Sequence, residues 1–151
     1  MKKLLLILLS ALPLVSCHSL PDPYEHIGIN GIRMNINGDK YILQSNYYVR
    51  YDNDYHFVLS GTATNTAAYK EDQYKFTLDI NDSGPFAAGK KVDIPTGAAK
   101  LLYGEGYTSS VSLSGWLKVT DYNEQSHMLE AYFELESPSH QVKHGFLRIK
   151  L

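Results

Sequence analysis

One cysteine and one tryptophan stand in 151 residues, and both shortages narrow the chemistry. A lone Cys17 cannot form a disulfide within the chain or build a multi-thiolate metal centre. Basic residues number 14 against 16 acidic, so the excess positive charge that nucleic acids and anionic lipid surfaces attract is missing. No G-K-[ST] phosphate loop, no G-x-S-x-G nucleophile turn and no H-E-x-x-H zinc helix occurs. Residues 103–110 (YGEGYTSS) carry two glycines without the lysine, and read as a hairpin tip. Glu130, Glu134 and Glu136 share one strand parity and read as a solvated face. His140 and His144 are four apart, but Pro138 and Gly145 flank them and a strand follows. Exposed loop histidines are therefore expected, not zinc ligands. The acidic stretches 52–54 and 79–84 fit turn chemistry better than a calcium loop. No catalytic residue, metal or cofactor is expected.

Long apolar runs are also scarce. The longest is residues 4–12 (LLLILLSAL), well short of the about 20 residues that cross a bilayer. It follows Lys2 and Lys3 and leads through Pro13 to Leu14, Val15, Ser16 and Cys17. A charged end, a short greasy segment and small residues form an export signal. An ordinary secretory signal would finish in an A-x-A-like site, and none is evident. Leu14-Val15-Ser16-Cys17 instead resembles the lipobox of bacterial lipoproteins. That resemblance implies alkylation of the Cys17 sulfur by diacylglyceryl, cleavage before Cys17, and acylation of the freed amine with a chain such as palmitate. Two or three acyl chains anchor a protein stably where one does not.

On this reading residues 1–16 are a signal peptide, and residues 17–30 are the lipidated cysteine and a tether carrying Pro21 and Pro23. His18 replaces the aspartate that retains lipoproteins at the inner membrane in some sorting systems, so the outer membrane is the expected location within the cell envelope. Residues 31–151 remain as one domain. Without Lys2 and Lys3 it is more acidic still, so nucleic acid is not an expected partner.

That domain reads as strands. Asn37-Gly38 is a strong two-residue hairpin signal, because both positions tolerate φ > 0. Phe76, Leu78 and Ile80 alternate with Lys75, Thr77 and Asp79. Val111, Leu113, Leu117 and Val119 share a parity, as do Leu129, Ala131, Phe133 and Leu135 across a turn-rich connection. Leu147, Ile149 and Leu151 repeat the pattern at the end. A short helix is conceivable only near residues 63–72. The expectation is all-β: a single antiparallel β-sandwich, with a small up-and-down barrel as the alternative.

The stretches NGIRMNINGDKYI, GPFAAGKKVDIP and LSGWLKVTDYNEQSHMLEAYFELES resemble small uncharacterised lipoproteins of the Bacteroidota type. Ala131-Tyr132-Phe133 stands where those have a second glycine. The resemblance implies an all-β fold and an envelope location, and it carries over no catalytic residue.

Tyrosine is the one abundance: twelve in the chain, with Tyr47, Tyr48, Tyr51 and Tyr55 inside nine residues. These and Trp116 are the candidate binding surface, since aromatic faces suit a protein partner or sugar rings, although tyrosine is also simply a good strand residue. The expected function is a lipid-anchored, non-catalytic envelope interaction domain, its partners a membrane through Cys17 and an envelope protein or glycan. Surface glycan binding or an apolar ligand inside a barrel are the alternatives. Cys17→Ser is expected to leave the chain uncleaved or released; fractionation and mass spectrometry showing normal acylation of that variant would refute the lipobox assignment.

Overall fold

The computed structural model describes residues 31–44, 47–67 and 72–151; the signal segment, Cys17 and the tether lie outside the described residues. Nine strands follow one another: β1 (Gly31–Ile36), β2 (Asp39–Leu43), β3 (Tyr47–Asn53), β4 (His56–Asn65), β5 (Gln73–Asn81), β6 (Lys91–Tyr103), β7 (Ser109–Asn123), β8 (Met128–Glu136) and β9 (Gln141–Lys150). Neighbours pair antiparallel in the order β2-β1-β9-β8-β7-β6-β5-β4-β3. The β1–β2 turn is the expected one, with Asn37 at φ 51° and Gly38 at φ 93°. Residues 63–65, inside the stretch where a helix was conceivable, belong to β4.

The expected sandwich is overturned. β2 also pairs with β4, Tyr41 opposite Asn65 and Ile42 opposite Thr64, and this joins the two ends of the sheet into a closed eight-stranded barrel. Alternating strands are compatible with either architecture. The difference lies in whether the first and last strands of the meander meet, and here they do.

The ninth strand comes from a slip along that seam. From Ile42 to Tyr47 the chain advances five residues while its partner advances only three, from Thr64 to Gly61. β3 therefore lies end to end with β2 along one edge of β4. β1 begins at Gly31, opposite the end of β2, so β3 has no strand on its outer edge among the described residues.

Inward positions fill the barrel, as eight strands allow. Ile32, Met34, Leu59, Leu78, Leu117, Leu129 and Leu147 are fully buried, and Phe76 and Phe133 stack across the interior with centroids 5.9 Å apart. Outward positions on the same strands are Lys75, Thr77, Asp79, Glu130 and Glu134. This is the inverse of a membrane-spanning barrel, whose apolar side chains face lipid.

Two glycines are steric necessities. A Cβ on Gly115 would lie 2.0 Å from the Glu134 carbonyl oxygen, so β7 and β8 could not approach as they do. A Cβ on Gly145 would lie 2.4 Å from the Phe133 ring, which folds over its cross-strand partner. Gly145→Ala is expected to destabilise the domain by about 1–3 kcal/mol, as overpacking does, with partial recovery in Gly145→Ala/Phe133→Leu. Urea melts measure both; an unshifted midpoint for the single variant contradicts the packing.

Candidate functional site

The two ends of the barrel differ in kind. At the end where β1 begins, the β5–β6 loop folds inward and Phe86 closes the mouth. Its ring lies 5.6 Å from Phe57 and 6.0 Å from Tyr122, and its amide donates to the Asp54 carbonyl at 2.7 Å. Lys90 holds the loop, bonding the Asp82 carboxylate at 2.5 Å and the Gly84 carbonyl at 2.6 Å. The lysine keeps Asp82 below the usual carboxylate range.

Asp54 ties this end together. Its carboxylate accepts from the Tyr51 hydroxyl and, at 2.9 Å, from Tyr122, so one side chain joins the β3–β4 turn to the end of β7. The same hydrogen bonds hold the Asp54 carboxyl below its ordinary value. Burial first, and these partners second, push the Tyr122 hydroxyl up.

The opposite end is lined by tyrosines among the described residues. Tyr74 and Tyr103 are the last inward-facing residues of β5 and β6, so their rings floor the mouth 6.0 Å apart. His140 packs against them, its ring 4.9 Å from Tyr103 and its nitrogen 3.0 Å from the Ser139 hydroxyl. A single 3-10 turn, Glu105–Tyr107, brings the chain back over them. Gly104 (φ 81°) and Gly106 (φ 62°) make that reversal possible, and Tyr107 is itself left-handed at φ 57°, a strained state for a bulky residue. The Tyr107 hydroxyl donates to Gln73 Oε1 at 3.3 Å. Asp72, Gln73, Tyr74, Tyr103, Glu105 and Tyr107 thereby line a cavity of about 620 Å³.

A second hollow, about 280 Å³, opens on the barrel wall where Pro95 and Gly97 interrupt β6 and it parts from β5. His56 stands at its rim, with ring nitrogens 3.0 Å from Asp52 and 3.2 Å from Asp79. Both nitrogens are thus engaged by carboxylates already present.

The tyrosines singled out from the sequence share β3 and its turn but not one role. Tyr47 is half-buried against the core, and burial raises its pKa. Tyr51 is committed to Asp54. Tyr48 and Tyr55 are 68% and 40% exposed. Trp116 is on the outer face of β7, three strands round the barrel from β4, under the Lys91 ammonium 5.4 Å from its ring. The β3 tyrosines and Trp116 therefore form no common platform. His140, expected exposed, is 8% exposed, because the β8–β9 turn packs its ring against Tyr103 and Tyr74.

Tyr74, Gln73 and Asp72 escaped sequence reasoning, since nothing in a strand's first residues says which strand ends beside it. The tyrosines bracketing two glycines in residues 103–107 were the available signal. No family model, curated protein or solved structure matches the chain.

Asp54→Asn is expected to lower the melting temperature at pH 7. A carboxyl with a depressed folded-state pKa stabilises above its unfolded value, ~3.9, and that contribution is lost as pH falls through the folded value. The gap between wild type and variant should therefore close in melts taken toward pH 2. A gap of constant size would assign the effect to shape and not to charge.

Proposed function

We propose that the chain is a lipid-anchored, non-catalytic module of the cell envelope, held at the outer membrane through Cys17, that docks an envelope protein along β3. One observation carries the docking: β3 bonds β4 on one edge and, among the described residues, no strand on the other. Closure of a barrel abolishes sheet edges, and β3 is the exception to it. Unpaired backbone donors and acceptors on an edge strand are the groups with which an extended partner segment adds a strand. Tyr48, the most exposed large apolar side chain described, projects from the outer face of β3 near its start. Arg50 and Asp52 pair with one another at 3.3 Å, so their charges offset each other on this face.

Gly31 stands at the end closed by Phe86, opposite the tyrosine-lined mouth. The interior filled by Phe76, Phe133 and their neighbours weighs against an apolar ligand inside the barrel.

A photo-cross-linking amino acid placed at Tyr48 of the full chain, in its native envelope, is expected to yield one discrete protein adduct. The same group at exposed Lys118 on β7 should yield none, and Cys17→Ser should abolish the Tyr48 adduct. No adduct at Tyr48, or equal adducts at both positions, rejects β3 as the docking edge.

A further inference from the structure

The tyrosine-lined mouth has a chemical character of its own, independent of the anchor and of the β3 edge. Its described lining holds three tyrosines, one glutamine and two carboxylates, Asp72 and Glu105, and no lysine, arginine or exposed histidine. Tyr74 and Tyr103 are inward-facing residues whose rings form the floor. Tyr107 is held across the gap in a left-handed conformation, with Gln73 fixing its hydroxyl. Nothing in the packing of the core demands that Tyr107 be there, since the 3-10 turn contains no buried residue. The strain holds an aromatic side chain at the edge of a cavity instead.

The electrostatics agree in sign. Tyr74 is pushed above the ordinary tyrosine value first by burial and then by Tyr41, Asp72, Tyr103 and Asp39. Its neighbours Asp72 and Asp39 thus act on it in the sense expected of nearby negative charge. Aromatic rings present electron-rich faces that attract cations, most strongly where water is displaced. Carboxylates at the rim add a countercharge, while the 620 Å³ volume admits a ligand of small-metabolite size.

We infer that this mouth binds a free, water-soluble organic ammonium compound, a primary amine or quaternary ammonium, between Tyr107 and the Tyr74–Tyr103 pair, with Asp72 and Glu105 as its counter-ions. A neutral sugar would use the rings and Gln73 but would gain little from the two carboxylates of the described lining. An anion would be repelled by them. A cation uses both the rings and the carboxylates of the described lining.

The test uses the full chain purified in a polyoxyethylene detergent, titrated calorimetrically with choline chloride. The control is 3,3-dimethylbutan-1-ol, which has the same shape without the charge. Choline is expected to bind saturably and the neutral compound roughly tenfold more weakly, as a desolvated cation–π contact predicts. Tyr103→Ala should weaken choline by roughly fivefold or more. That ring also packs on His140, so Glu105→Gln, at an exposed rim position, provides a second variant with no folding burden and the same expected direction. Trp116→Ala should leave binding unchanged.

Equal binding of choline and its uncharged counterpart would overturn the inference, as would no saturable heat from choline. Saturable binding of methyl glucoside without choline would reassign the mouth to saccharides. Sedimentation with phosphatidylcholine vesicles, but no binding of free choline, would overturn the free-ligand claim in favour of a lipid headgroup.

Discussion

The architecture depends on a short seam. Two residue pairs, Tyr41 with Asn65 and Ile42 with Thr64, join the first hairpin to β4 and turn a meander into a barrel. A hydrogen bond from the Thr66 amide to the Lys40 carbonyl at 2.9 Å extends it by one step. Without that pairing the described sheet would end in β2 on one side and β3 on the other, and the inward row of leucines and phenylalanines would need a second sheet to cover it. With it, each inward residue faces other inward residues across one axis. The seam's shortness has its own consequence. Beyond it the chain slips by two residues, and β3 is left outside the closed ring.

Closure also separates the two ends. One is held shut by an aromatic plug and by side chains that reach between turns: Asp54 across to Tyr122, and Lys90 within its loop. The other keeps its aromatic rings at the surface, arranged around a hollow. A barrel wall built of hydrogen-bonded strands is rigid, whereas loops at its mouths tolerate chemical variation. Binding groups therefore gather where strands end. Tyr74 and Tyr103 illustrate this, as continuations of the inward rows that further down hold Phe76 and Leu101. The same parity that buries a side chain mid-strand presents it to a ligand at the rim.

Much of the local structure was legible before any tertiary information. Period-two alternation located β5, β7, β8 and β9, because each has one face in the core and one in water. Asn37-Gly38 marked its turn, because few residues accept two successive positive φ angles. The glycine at position 145 was less readable: its need is steric, set by the Phe133 ring of the neighbouring strand. The tyrosine-rich stretch was conspicuous, yet its members divide among core packing, a capping hydrogen bond and exposure. Composition counts rings without saying which way they point. His140 looked like a loop residue and is one, but its loop folds inward.

The amino-acid sequence by itself determined the strand parities, the principal hairpin, the all-β class and the polar outer face. Each of these is written in residues near one another along the chain. Barrel against sandwich, the place of β3 outside the closed ring and the tyrosine mouth were decided only by tertiary structure. They depend on contacts between residues such as Tyr41 and Asn65, or Gln73 and Tyr107, whose meeting is governed by the register of every strand between them. A register slip of one residue reverses which face a side chain occupies, so long-range closure is a property of the whole sheet and of no single segment.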